Sequence, residues 1–181
     1  MTSILYPKDF KEVPWKNGQG MTREIYRIAN AQDPEQFLFR ISVATVGQSA
    51  PFSEFPGKDR FLMLLEGKGF RLTFDDNTDV VLANAFDSFE FEGEEKIECH
   101  LIDKACLDFN VMTQRGWGES SVTLSPLKMN QSKKYQPKND LYLYLYQNTP
   151  KLIIIPAGET YECKASENMV VIEVELKKLH H

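Results

Sequence analysis

Polar and apolar residues alternate with a period of two along most of this chain. The run FLFRISVATV, residues 37–46, sets Phe37, Phe39, Ile41 and Val43 on one strand face and Arg40, Ser42 and Ala44 on the other. MTREIYRI alternates likewise, with Thr22 and Glu24 on one face and Arg23 opposite. RFLMLLEGKGFRLTF reads as two strands around a turn at Gly67 and Gly69, and DDNTD is a second turn, followed by VVLA. SFEFEGEEKIECHLI and CLDFNVM continue the pattern, the latter placing Asp108, Asn110 and Met112 together, opposite Phe109 and Val111. Beyond the loop QRGWGES come SVTLSPL, DLYLYLYQ, KLIIIPAGETYEC and MVVIEVELKK. No stretch carries the period of an amphipathic helix. Many short strands at close spacing predict an all-β sandwich or barrel. The loop at RGWGESS predicts a division into residues 1–118 and 119–179, two units sharing a core because each alone is small.

Composition narrows the function classes. The chain has 181 residues, of which 42% are hydrophobic, as in a folded domain. A net charge of −5 argues against nucleic acid as a partner, which needs a basic surface. No apolar run has the length of a membrane span, so no membrane partner is expected. The opening MTSILYPKDFKEV carries charges where a secretion signal needs an apolar stretch. Cys99, Cys106 and Cys163 are scattered and form no C-x-x-C pair, so reduced, buried thiols in the cytoplasm are expected rather than disulfides or a zinc knuckle. His180 and His181 read as a purification-tag remnant and are set aside.

The spacing of residues 47–67 resembles the first motif of the cupin family, G-x5-H-x-H-x4-E-x6-G. Gly47 and Gly67 hold the glycine positions, Ser53 and Phe55 stand at the two histidine positions, and Arg60 stands at the glutamate position. A guanidinium has no lone pair for a metal and stays charged, so it repels a divalent ion. In this register the resemblance implies a barrel without metal or other cofactor, whose interior attracts anions. The same residues also fit a surface arginine in a hairpin and an ordinary core phenylalanine. A trace of the second motif, P-x-G-x2-H, lies at PAGETY, where Pro156, Gly158 and Tyr161 take its places; a plain turn accounts for it equally well.

Longer strings carry a closer resemblance. PWKNGQGMTREIYRI, FRISVATV, PFSEFPGKDRFLMLLEGKG and DFNVMTQRG occur in this order, and together they are similar to the HutD/Ves family, associated with histidine utilisation. The resemblance covers nearly the whole chain and is strongest over residues 14–116. It implies a cupin-like (RmlC-like jelly roll) β-barrel, as a bicupin of two units, without the usual metal site. It also implies binding of a small acidic metabolite such as formylglutamate.

The candidate ligand-binding residues follow from these patterns. Arg40 flanked by Ser42 leaves room above a large cation, although an exposed sheet face would show the same sequence. Asp108 and Asn110 are poor strand formers within an apolar strand, which a polar cavity explains, and Met112 shares their face. Arg115 follows the strand. Trp15, Lys16 and Asn17 are positioned by a Gly-rich turn as a lid or wall, with Thr22 and Glu24 on the strand beyond. Glu24 is expected to pair with Arg40 or Arg60. Arginine binds carboxylate through paired charged hydrogen bonds of about 1.5–3 kcal/mol each. Two such contacts with some apolar burial reach about micromolar affinity, near −8 kcal/mol. A dicarboxylate needs two cations, here Arg40 and Arg60, with Arg115 or Lys16 at the rim. Asn110 and Ser42 would read an amide or formyl group.

Three functions stay open. The first is a non-enzymatic protein that senses or buffers an acidic metabolite, without catalytic residues. The second is a metal-independent hydrolase or isomerase using Asp108 or Glu24 as base. Neighbouring arginines are expected to depress a carboxylate and so count against it. His100 could act as a base, but a lone histidine on a strand is more often structural. The third is an interaction module with a vestigial pocket, for which LYLYLY offers either a homodimer surface or a strand buried between sheets.

Overall fold

A computed structural model describes residues 1–15 and 20–179. Lys16, Asn17 and Gly18 lie outside the described residues, as do His180 and His181. The chain divides into two compact units, one spanning Lys11–Arg115 and one joining Met1–Phe10 to the chain from Gly116 onward. No helix among the described residues is long and apolar enough to cross a membrane.

Strand β1 (Ser3–Leu5) and one turn of 3-10 helix at Pro7–Asp9 come first. The larger unit then runs through β2 (Lys11–Pro14), β3 (Gly20–Ala29), β4 (Phe37–Val46), β5 (Ala50–Pro51), β6 (Lys58–Glu66) and β7 (Phe70–Phe74). It continues with β8 (Asp79–Leu82), β9 (Ser88–Glu92), β10 (Ile97–Leu101) and β11 (Cys106–Gln114). A six-stranded sheet takes the order β2-β3-β4-β11-β6-β9, and a four-stranded sheet the order β5-β10-β7-β8. Apolar side chains from the two sheets meet in one core, with Val46, Leu62 and Leu64 from the first packed with Phe70, Leu72, Ile97 and Cys99 from the second. Burying each large apolar side chain contributes about 1.5–3 kcal/mol. Two facing sheets over a common core give the all-β architecture expected from the strand pattern, and they suit the cupin-like fold that the resemblance implies.

Pairing register sets which side chains share the inward face. Asn110 on β11 lies opposite Ser42 on β4 and Leu62 on β6. The β3–β4 ladder shifts between Glu24 and Tyr26 and again between Ile28 and Ala29. Each shift inserts an extra residue and resets the alternation. Glu24 opposite Ser42 and Arg27 opposite Arg40 therefore share a face despite their odd separation.

The connection that carries the chain from β6 in the six-stranded sheet to β7 in the four-stranded sheet turns at Gly67 and Gly69, as anticipated, although the two strands do not pair with each other. Gly69 has φ +91° and passes so close to Leu82 that a Cβ would stand 1.9 Å from its carbonyl oxygen. Only glycine fits there.

The second unit holds β12 (Gly118–Leu127), β13 (Ser132–Tyr135), β14 (Asp140–Tyr146), β15 (Lys151–Ile155), β16 (Tyr161–Lys164) and β17 (Met169–Lys178). Its five-stranded sheet has the order β1-β15-β14-β17-β12, and β13 pairs with β16. The first ten residues, expected with residues 11–118, instead send β1 to the edge of β15, with Ile4 opposite Ile153. A chain segment follows the sheet edge open to it rather than its neighbours in sequence. LYLYLY is the central strand β14, and Leu141, Tyr142, Leu143, Tyr144 and Leu145 are all buried, so the run is core rather than an exposed dimer face. PAGETY is a turn with Gly158 at φ +81°, and Tyr161 packs on the apolar cluster of this unit.

Candidate functional site

The inward face of the six-stranded sheet is built in rows, each row crossing neighbouring strands. One row reads Arg27, Arg40, Met112, Arg60, Phe91 from β3 to β9. The next reads Glu24, Ser42, Asn110, Leu62, Phe89. A third reads Thr22, Ala44, Asp108, Leu64. On the other side of the arginine row, Gln114 pairs with Lys58. Successive rows are two residues apart along a strand, roughly 6.6 Å. Most of the sequence-derived candidates thus lie side by side, with cations in one row and hydrogen-bond acceptors in the next two.

Arg60 is 6% exposed and turned inward. Its Nη1 donates to the Ser53 carbonyl at 3.2 Å, while the Ser53 side chain itself is exposed. Its guanidinium lies over Phe91, Phe55 and Phe52 at 4.7, 5.4 and 5.6 Å. Arg40 lies over Phe37 and Phe55 at 4.7 and 5.1 Å, and its Nη2 reaches the Met112 sulfur at 3.5 Å. The ring of Phe55 therefore carries two guanidiniums. Aromatic faces attract cations electrostatically without neutralising them. Lys58 is buried, with Nζ 4.9 Å from the centre of the Phe37 ring and bonded to Gln114.

Burial drives the electrostatics. It pushes the Arg60 guanidinium down to about 9, with Arg40 adding to the shift and Asp108 opposing it. Burial also lowers Arg40, where Glu24 opposes and Arg27 adds, and it lowers Lys58. Both arginines remain cationic at neutral pH. Asp108 moves the other way. It is 2% exposed, and burial raises its carboxyl to about 7 against the opposing pull of Arg60 and of hydrogen bonds from Asn110 and the Ala44 backbone. The expected depression by arginine is overturned, because desolvation of the carboxylate outweighs it.

None of Arg40, Arg60 or Lys58 forms an ion pair with a carboxylate among the described residues. The buried side-chain polar atoms without a hydrogen-bond partner, among the described residues, are Arg27 Nε, Arg40 Nε, Arg60 Nε, Asp108 Oδ1 and Asn110 Oδ1. All five belong to the inward rows. Buried polar atoms are normally satisfied, so this cluster of exceptions sets the inward rows apart as the candidate site.

Other candidates have different positions. Arg115 is occupied by Asp59 and Glu94, at 2.9 and 2.8 Å, and those bonds raise its pKa; it offers no free fork to a ligand. Glu24 acts on Arg40 through space but pairs with neither arginine. Trp15 packs against the apolar core and its indole donates to the Thr22 hydroxyl at 2.8 Å, which makes both part of the wall. His100 is exposed on β10 and lies outside the rows. Arg27, Phe37, Lys58 and Gln114 were not anticipated. Strict alternation puts Arg27 on the face opposite Glu24 and Phe37 on the face opposite Arg40, and the ladder shifts undo both assignments, with Ile25 the extra residue on β3 and Leu38 the extra residue on β4.

A cupin metal centre does not fit this arrangement. Its positions hold an exposed Ser53, a Phe55 capped by guanidiniums and a buried Arg60. Among the described residues no group of three or more His, Cys, Asp or Glu side chains could hold a metal ion. Cys99, Cys106 and Cys163 are free and buried, and burial, with Asp108 adding, pushes the Cys99 thiol up to about 12.

Comparisons with known proteins agree with the fold and place the chain in a family. An uncharacterised 21.2 kDa protein in the hutC 3′ region of Pseudomonas putida is 38% identical over 109 residues, covering 60% of this chain and 56% of that protein. Protein Ves of Escherichia fergusonii is 34% identical over 110 residues, 59% of this chain and 56% of that protein. The matched region thus spans little more than half the length of these relatives. Among solved structures, a conserved protein of unknown function from Pseudomonas aeruginosa PAO1 superposes with TM-score 0.79 at 27% identity, covering 99% of this chain and 100% of that one. HutD from Pseudomonas fluorescens SBW25 gives TM-score 0.79 at 22% identity with the same coverage. Oxalate decarboxylase from Lactobacillus farciminis gives 0.64 at 9%, covering 97% and 88%, a likeness of fold alone. The HutD family profile matches residues 7–178, and the chain belongs to the HutD family.

Proposed function

We propose that this protein binds a small acidic metabolite, such as formylglutamate, without transforming it, and so senses or buffers that acid in connection with histidine utilisation. The observation that carries this reading is the pair of guanidiniums of Arg40 and Arg60, held over one phenylalanine ring with unpartnered Nε atoms and no protein carboxylate paired to them. A carboxylate supplies what this row lacks, since it accepts paired charged hydrogen bonds from a guanidinium. Free, buried thiols support a reducing cytoplasm as the place of action.

Thermal unfolding against formylglutamate, urocanate, glutamate and related acids tests it. A saturable rise in midpoint is expected for at least one acid, and Arg60→Ala should abolish that rise. No shift with any acid, or an unchanged shift in Arg60→Ala, overturns it.

One observation favours a second reading, a metal-independent enzyme. The Asp108 carboxyl titrates at about 7, where a general base works best. Consumption of the same acids followed by NMR, lost in Asp108→Asn, would establish catalysis in place of binding.

A further inference from the structure

The unmet atoms of the inward face differ in kind from row to row. The arginine row lacks acceptors, since Arg40 Nε and Arg60 Nε each have an N–H to donate. The rows behind it lack donors, since Asp108 Oδ1 and Asn110 Oδ1 each have lone pairs to fill. Both residues are more than nine-tenths buried, so bulk water does not meet that need. Asn110 hydrogen-bonds the Asp108 carboxyl, and since only its NH2 group can donate to a carboxylate, its Oδ1 is the atom left without a partner. Asp108 keeps an accepting oxygen whether or not its carboxyl is protonated.

We propose that the acid bound here also carries a hydrogen-bond donor, an amide or amine N–H or a hydroxyl, which Asp108 and Asn110 receive while Arg40 and Arg60 hold its carboxylate. This inference rests on the reading that the site takes an acid, and it goes further by selecting among acids. A plain dicarboxylate can satisfy both guanidiniums. It leaves both acceptors unmet and sets its own oxygens against that of Asp108. An amide acid or hydroxy acid answers both rows at once. The rings of Phe37 and Phe55 close the cation row and donate nothing, so discrimination falls on the two acceptors. A site built to bond a ligand's N–H rejects the analogue that lacks it.

Titration calorimetry with matched pairs reads this directly. Acetylglycine is compared with acetoxyacetate, and acetyl-β-alanine with acetoxypropionate. Each pair replaces one N–H by an ester oxygen, and the two lengths allow for the depth between rows. In the wild-type chain the amide member of at least one pair should bind about tenfold more tightly or better. In the double variant Asp108→Leu/Asn110→Leu, which removes both acceptors, the gap should close to within about twofold. Asp108→Ala/Asn110→Ala, which removes them without adding bulk, serves if the leucine variant does not fold. Equal binding within both pairs overturns the donor requirement and leaves acid binding standing. A preference that survives in the double variant also overturns it. Failure of both pairs, of formylglutamate and of glutarate to bind removes the acid reading, and this inference with it.

Discussion

At the scale of single residues, Arg60 and Asp108 are held where neither would rest by itself. Arg60 is an unpaired cation among aromatic rings. Desolvating a charge in such an interior costs on the order of several kcal/mol, which an apolar side chain of similar length does not incur. Arg60→Met is therefore expected to raise the denaturant midpoint of the ligand-free protein while acid affinity falls at least about tenfold. A variant that is both less stable and unchanged in affinity contradicts the assignment. Asp108 gives a dependence on pH. Its folded carboxyl titrates at about 7, above the ordinary 3.8. Below about pH 4 both folded and unfolded chains hold the proton, and burial carries no penalty. As pH rises through that window the unfolded chain releases its proton first, so stability falls, by at most about 1.4 kcal/mol per pH unit. Above 7 the loss is complete and constant. Asp108→Asn should remove this component of the slope, checked by urea unfolding of both proteins across the window. The inward position of Arg60 was legible in the sequence because it stands at the glutamate position of a cupin-like spacing between two glycines, and that of Asp108 and Asn110 because polar residues interrupt an apolar strand. Arg115 was misplaced because nothing in its neighbourhood in the chain announces Asp59 and Glu94 as partners.

At the scale of strands and turns, alternation predicted β4 to the residue and the inward set on β11 with it. It failed where an extra residue enters a ladder. The shift at Ile25 in β3 returns Arg27 to the inward face, and period-two counting has no means of seeing it. Lys58 and Gln114 went unseen for another reason: a lysine at the start of a strand reads as solvated, and only the pairing with β11 reveals its burial. Turn chemistry was more visible. Gly69 combines a positive φ with a close pass over the Leu82 carbonyl, so Gly69→Ala is expected to lower stability by at least about 2 kcal/mol, measured by chemical denaturation. A loss below about 0.5 kcal/mol would mean that this turn tolerates a side chain.

At the scale of the whole molecule, the chain returns to its own beginning. β1 closes the edge of β15, so the second unit is complete only with residues that precede the first. The loop at RGWGESS was a fair guide to one boundary. The other could not be read, since three residues of an edge strand carry too short a pattern to name their partner. Deleting residues 1–6 should lower amide protection along β15 and reduce the melting temperature; unchanged hydrogen exchange there would show that β1 contributes little. The row of unpaired guanidiniums has a consequence beyond recognition. On the proposed function, an acid that binds only the folded chain would shift it away from the open forms that proteases cut. Resistance to digestion would then rise with the concentration of that acid, and the amount of protein would follow its supply with a lag.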